Sequence, residues 1–344
     1  MNKPKKREMS GKKVSMQSIA DELGVARSTV SFVLNGKEKQ GRIGEELAQK
    51  VRMTAKKMNY RVNVVARGLR TGCFNTIALV IADISDVFFG AMAYNLQEYA
   101  ESKGYALIIL NTGEKKERLA PVFNMLSNRP VDGVIMVPIA NIEEEEIEKL
   151  GLDIPIVYVD RYFKTLNISR VIINNYEITQ MATQLLIGKG CKKLAFISYK
   201  ESLMHLQDRK RGFIDALTAN NSFDESLVCE IDYFSLKYEK IADFLKEKLK
   251  NPGGGVDGFV FATGGITALA SRCLINMGVK LQSDVQIAGF GRMEVATGIS
   301  IPYVKQPMYE ICKQSFDILL NQIETKENKK INCVLPASIV SDKF

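Results

Sequence analysis

The feature that most constrains this chain is an alternation that sets in near Asn75 and continues to the last residues. Short, wholly apolar runs are separated by amphipathic stretches of helical length. The run TIALVIAD, from Thr76, reads as a strand buried on both faces, which is what a parallel sheet requires. YALIIL from Tyr105, VDGVIMVP from Val131, PIVYVD from Pro155 and VIIN from Val171 repeat it, as do KKLAFIS from Lys192, SLVCEID from Ser226, DGFVFAT from Asp257 and DVQIAGFG from Asp284. Helices are expected between them, over residues 88–103 and 114–127, around the acidic EEEEIEKL, and in ITQMATQLLIGKG, DRKRGFIDALTAN, KYEKIADFLKEKLK and ITALASRCLINMG. A strand at Tyr303–Lys305, the helix MYEICKQSFDILLNQIE and one terminal strand CVLPASIVS are expected last. Strands alternating with helices mean parallel βαβ units. The alternating region is longer than one open sheet takes, so the expectation is an α/β core of two doubly wound parallel-sheet subdomains. Such sheets bind ligands in the crevice at their strands' carboxyl ends.

The first 60 residues have a different period. Ser15 precedes MQSIADEL, whose Ile19, Ala20 and Leu23 share a face, and Gly24 breaks the helix. ARSTVSFVL follows, with Val30, Val33 and Leu34 apolar, and Asn35-Gly36 closes it. After the polar loop KEKQGRIG, a third helix runs over EELAQKVRMTAKKMNY. This small all-α, helix-turn-helix head is also where the charge sits. Residues 1–72 hold 17 Lys and Arg against 6 Asp and Glu, a net of +11, while the rest of the chain nets −3. A basic head on a near-neutral body suits a binder of phosphate backbones.

Other function classes find little support. One histidine, His205, cannot build a His-based metal site or a Ser-His-Asp triad. The six cysteines, Cys73, Cys191, Cys229, Cys273, Cys312 and Cys333, form no C-x-x-C pair and read as small buried hydrophobes in a reducing compartment. The basic N-terminus has no apolar segment behind it and no run is long enough to span a bilayer, so the expected location is cytoplasmic. No nucleotide-binding glycine motif or nucleophile–base pair stands out, so neither enzyme activity nor a cofactor is expected.

A helix–glycine–helix unit places the start of its second helix where it can enter a major groove. That end carries Arg27, able to bond guanine bidentately, and Ser28, able to read a base edge or a phosphate. Thr29 and Ser31 suit phosphates. Ser18 and Asn35 complete the candidate contacts within the two helices.

IADELGVARSTVSFVLNG, then NYRVNVVARGLRTG, then NTIALVIADISDVFF, together resemble the lactose-repressor/galactose-repressor family of bacterial regulators. VDGVIM, YVDR, RKRGF, VQIAGF and VKQP extend the resemblance over essentially the whole chain. It implies a homodimer on a near-palindromic operator in double-stranded DNA. It also implies a periplasmic-binding-protein-like core that holds a small-molecule effector between its subdomains. On this resemblance, Arg27 and Ser28 match the base-reading positions, and Thr29, Ser31, Tyr60 and Asn63 match phosphate contacts. Asn63, Ala66, Arg67 and Leu69 match the hinge, with Leu69 as an apolar wedge in the minor groove. The domains implied are 1–60 for the head, 61–72 for the hinge and 73–344 for the core. Within the core, 73–173 plus 303–330 would form one subdomain, and 174–302 plus 331–344 the other.

The chain also departs from the family. Ala26 replaces the usual Ser cap of the second helix, and Phe32 replaces an arginine, offering a thymine methyl contact instead. The loop before the third helix is longer than usual, Gly44 stands where Ser is common, and Val62 replaces the hinge proline. In the core, Arg209 of RKRGF and Asp160 of YVDR match effector-binding positions, and His205 falls on a position that often lines the pocket. Phe88 and Tyr233 are candidate ring-stacking walls, with core packing the alternative for each. The family's A-x-N-D reads Ala262-Thr263-Gly264-Gly265, and its G-F-D-D reads Gly289-Phe290-Gly291-Arg292. Sugar hydroxyls lose partners there, and Arg292 adds positive charge if it faces in. The expectation is a sugar or, more particularly, an acidic sugar derivative such as a sugar acid or phosphate. A core that has lost its response stays open, as do an exported solute receptor and the choice between repression and activation.

Overall fold

The computed structural model describes residues 14–60, 68, 72–140, 142–165, 167–200, 203–233, 237–249, 255–291, 301–327 and 329–341. They fall into two compact units, one within residues 1–72 and one within 73–344. The expectations for Val62, Asn63, Ala66, Arg67, Leu69 and Arg292 lie outside the described residues.

The first unit is trihelical: α1 (Met16–Leu23), α2 (Arg27–Leu34) and α3 (Glu45–Lys57). One apolar residue set from each helix meets in the middle, Ile19 and Ala20, Val30 and Val33, and Ala48, Val51 and Ala55. So small a core stays marginal, and the helix ends must contribute. Ser15 and Ser18 form a reciprocal capping box on α1, and Gly24, at φ 64°, takes the left-handed turn that ends it. Neither Ala26 before α2 nor Gly44 before α3 supplies a side-chain cap.

The second unit follows the expected alternation. Its chain order is β1 (Thr76–Ile81), α4 (Val87–Ser102), β2 (Ala106–Asn111), α5 (Leu119–Ser127), β3 (Gly133–Met136), α6 (Glu144–Glu148), β4 (Ile156–Val159) and β5 (Ser169–Ile173). Then come α7 (Asn175–Gly188), β6 (Leu194–Tyr199), α8 (Met204–Thr218), β7 (Val228–Ile231), α9 (Lys237–Leu249), β8 (Gly258–Phe261), α10 (Gly264–Asn276) and β9 (Gln286–Phe290). The last elements are β10 (Tyr303–Lys305), α11 (Met308–Thr325), β11 (Asn332–Leu335) and β12 (Ser338–Val340). The helix expected from residue 114 begins as a 3-10 turn at Lys116–Arg118 and turns α-helical at Leu119.

Among the described residues the strands form two six-stranded sheets, ordered β11-β5-β4-β3-β1-β2 and β12-β10-β9-β8-β6-β7. All pairings are parallel except β10 with β12. In each sheet the order reverses beside the first strand, which opens a crevice at the carboxyl ends. β1, β3, β6 and β8 are buried along nearly their whole length, as strands covered on both faces must be.

The late segments are arranged differently from the expectation. β10 pairs with β9, so residues 303–305 belong to the second sheet rather than the first. The expected single terminal strand is two: β11 joins the first sheet beside β5, and β12 joins the second beside β10. Pro336, between them, has no N–H to give to a ladder and breaks the strand. The chain therefore crosses between the sheets at 173–175, 305–308 and 335–338. The first and third crossings are tied together: Asn174 N–H donates to Leu335 O (3.2 Å), and Ala337 N–H donates to Asn174 Oδ1 (2.8 Å).

Candidate functional site

In the head, Arg27 and Ser28 occupy the first turn of α2 and are both exposed. With no side-chain cap, that turn keeps N–H groups and the positive end of the helix dipole directed outward, a ready site for anionic phosphate. Thr29 and Ser31 are half-buried. Asn35 Nδ2 donates to Ser31 O at 2.7 Å and lies 3.3 Å from Ser31 Oγ, so Asn35 closes α2. The Ser18 hydroxyl is spent on the backbone of Ser15, as a cap. Tyr60 is half-buried; burial raises its phenol, and the Arg27 charge opposes that. Phe32 is 38% exposed. Its ring packs on Gly41 so closely that a Cβ there would stand 2.9 Å from it. The long loop is thus folded back on α2, and the Glu38–Arg52 ion pair (2.5 Å) ties it to α3. Sequence reasoning saw the loop's length but not this clasp, because the pairing partner lies 14 residues away.

In the core, Phe88, Asp160, His205, Arg209 and Tyr233 line one cavity of about 110 Å³. Each lies just past the carboxyl end of a strand or on the helix that follows it, and both sheets contribute. Asp160 ends β4 in a γ-turn: its φ is 67°, and Arg161 N–H donates to Val159 O at 2.8 Å. A buried non-glycine residue in that conformation is strained, and such strain persists where surroundings over-determine it. Burial raises the Asp160 carboxyl, opposed by the charges of Arg209 and Arg161. Arg209, on α8, is fixed on three sides. Its Nε donates to Asn175 Oδ1 (2.8 Å), its Nη1 donates to Ala262 O (2.7 Å), and its guanidinium lies 3.7 Å over the Phe290 ring. Burial pulls its pKa down to about 10, so it stays charged at neutral pH. Its Nη2 is buried with no hydrogen-bond partner among the described residues. One turn earlier, burial and then the Arg209 and Arg161 charges keep His205 neutral, and its Nδ1 has no partner either.

Phe88 stands edge-on to Phe89 (5.4 Å between centroids), and Tyr233 edge-on to Tyr199 (5.1 Å). Asp86 caps α4 by accepting from Phe88 N–H at 2.8 Å, and it borders the cavity. Several cavity residues escaped sequence reasoning. Arg161 pairs with the buried Glu114 at 2.6 Å and lies 5.3 Å from the Phe89 ring centroid. Glu114 also accepts from Ala140 N–H at 3.0 Å. Gln306, at the second crossing, borders the cavity with Oε1 unpartnered among the described residues. Position immediately after a strand's carboxyl end was the available signal for Arg161. The same signal was available for Gln306, which follows Tyr303–Lys305, while none marked Glu114. Among the described residues, no group of three or more His, Cys, Asp or Glu is placed to hold a metal. No helix among them is long and apolar enough to cross a membrane.

Two family models match the chain. Residues 75–339 match periplasmic binding proteins and the sugar-binding domain of the LacI family. Residues 15–63 match the bacterial regulatory proteins of the lacI family. The ribose operon repressor of Halalkalibacterium halodurans is 29% identical over 328 residues, 95% of each chain. The HTH-type transcriptional repressor PurR of Vibrio parahaemolyticus is 30% identical over 321 residues, 92% of this chain and 94% of that one. The crystal structure of the lac repressor dimer bound to operator and the anti-inducer ONPF shares the fold. Its TM-score is 0.81 at 20% identity, over 96% of this chain and 98% of that one.

Proposed function

Since this chain belongs to the LacI family of bacterial regulatory proteins, we propose that it is a homodimeric, sequence-specific operator-binding regulator, a repressor, controlled by a small molecule held in the core cleft. The observation that carries the reading is the first turn of α2. It presents Arg27 and Ser28 side by side, exposed and uncapped, on the only strongly basic part of the chain. Arg27 and Ser28 read bases; Thr29, Ser31 and Tyr60 position the backbone, with Ser18 and Asn35 shaping the helices that present them. Phe32 offers its exposed edge to a thymine methyl. Asn63 and Arg67 contact the backbone and Leu69 wedges the minor groove, as the family pattern implies.

A second copy is supported by apolar surface near the start of α4. Val87 is 87% and Tyr94 is 66% exposed, two turns apart on one helix, with Ile84 exposed just before. Two heads so joined would face two half-sites of a near-palindrome. In the core, Arg209, Asp160, His205, Phe88 and Tyr233 hold a sugar or acidic sugar derivative. The named relatives are repressors, so we assign the chain no catalytic step and place it with DNA in the cytoplasm. The test is selection of bound duplexes from a random pool by the full chain, followed by retardation assays over a range of salt. One palindromic preference is expected, with log affinity falling steeply against log salt by roughly 0.9 per neutralised phosphate. Absence of any preferred duplex would refute the reading.

A further inference from the structure

Helix α10 begins at the cavity wall in an unusual way. Its cap, Thr263, satisfies two first-turn donors: the hydroxyl accepts from Ile266 N–H (3.2 Å) and the carbonyl from Thr267 N–H (2.9 Å). The N–H groups of Gly264 and Gly265 precede the reach of the helical ladder and have no partner within it. Both residues border the cavity, and neither carries a side chain to cover its donor. A Cβ at Gly265 would meet nothing nearer than Tyr199 Oη at 3.6 Å, so the space in front of this turn is open. A helix start alone is a common feature. Here Arg209, 3% exposed as a residue, lines the same cavity, and its buried Nη2 has no acceptor among the described residues. Its neighbouring nitrogens are engaged and its face is stacked, so it cannot turn to find one.

This wall therefore offers donors and a positive helix end. The opposite wall, from the first sheet, has the reverse character. Asp160 and Asp86 supply carboxyl groups, and Arg161 there is already matched by Glu114. A ligand complementary to both walls has an oxyanion at one end and hydroxyl donors at the other. Resting on the effector reading of this cleft, we propose that the ligand is a small hydroxylated oxyanion. Its carboxylate or phosphate seats on the Gly264–Gly265 turn beside Arg209, and its hydroxyls point at Asp160 and Asp86. Such a molecule bridges the two sheets, with its charge on the second and its hydroxyls on the first.

The test is calorimetric titration of the full chain with D-gluconate, D-glucose 6-phosphate, D-glucose and inorganic phosphate. At least one hydroxylated anion is expected to bind at least 100-fold more tightly than D-glucose and than inorganic phosphate. The comparison of gluconate with the phosphate ester tells which oxyanion is used. Gly265→Asp places a carboxylate on the turn itself, where the helix dipole tolerates it, and is expected to weaken the anion at least 100-fold. Gly265→Ala, whose methyl fits, is expected to weaken it less. Unchanged thermal unfolding and unchanged retardation of a selected duplex will show that both variants are folded. Tighter binding of D-glucose, wild-type affinity in Gly265→Asp, or no heat from either sugar anion would each overturn the proposal. A wild-type chain that retards no duplex would instead refute the regulator reading, whatever the titrations give.

Discussion

Arg27 and Ala26 are adjacent and act in different ways. Arg27 is exposed at a helix start, and a bidentate contact to a base is worth about 1–3 kcal/mol of discrimination. Arg27→Ala is therefore expected to relax one position of the selected operator by roughly 5- to 150-fold, while an exposed lysine replaced by alanine weakens all sequences alike. Ala26 leaves α2 without a side-chain cap, and Ala26→Ser should stabilise the head by about 1 kcal/mol. Hydrogen exchange of the α2 amides, slowed several-fold, would report it. In the core, Glu144 is the residue to watch with pH. Burial, then the charges of Glu148 and Glu145, raise its carboxyl to about 7 from 4.5, against the opposing charges of Arg170 and Lys330. The folded carboxyl keeps its proton where the unfolded one loses it, so stability falls as pH rises from 4.5 to 7. Glu144→Gln, which keeps an acceptor for Thr165 and Asn167, should remove that slope and raise the melting temperature above pH 7 by about 2–4 °C. At this scale the sequence was readable where a residue type fits one job, as with Arg209 or Asp160. It was silent where the job depends on a distant partner: nothing near Glu114 announces Arg161, and nothing near Phe32 announces Gly41.

Elements were legible from periodicity because each buried strand is a wholly apolar run and each helix carries an apolar stripe. What periodicity could not supply was how closely they pack. Gly212, read only as part of RKRGF, is the contact between α8 and α7: a Cβ there would stand 2.3 Å from Tyr176 O and 3.1 Å from Gln180 N. That approach brings Arg209 within reach of Asn175 on α7. Gly212→Ala should force the helices apart, costing about 1–3 kcal/mol. Urea unfolding of the core would show the loss, and ligand affinity should fall with it, while hydrogen exchange within α1–α3 stays unchanged. The three-residue β10 and the split β11 and β12 were the elements hardest to assign. Strands so short carry almost no pattern of their own, and tertiary pairing decides which sheet they join.

For the molecule as a whole, chain length was enough to call for two sheets. Which late residues serve which sheet was not readable, because the chain changes sheet three times and the last change occupies only residues 335–338. One of those crossings brings Gln306 to the cavity, and both sheets contribute to its lining, so a ligand that draws the walls together must act across the crossings. Coupling to DNA is then reciprocal: whatever factor the ligand applies to operator affinity, operator must apply to ligand affinity, about 5- to 150-fold for typical coupling energies. Parallel titrations with and without a selected duplex measure both factors, and unequal values would break the linkage. The same late crossings bear on how the protein is made. Ser169, at the start of β5, accepts from Ile331 N–H, 162 residues downstream, and β11 completes the first sheet beside β5. A nascent chain emerging from the ribosome thus exposes an unfinished sheet edge until Asn332–Leu335 are translated. A stop codon placed just ahead of Asn332 would deprive each sheet of a strand at once, so the truncated product should be captured by chaperones and degraded rather than persist as a weaker regulator.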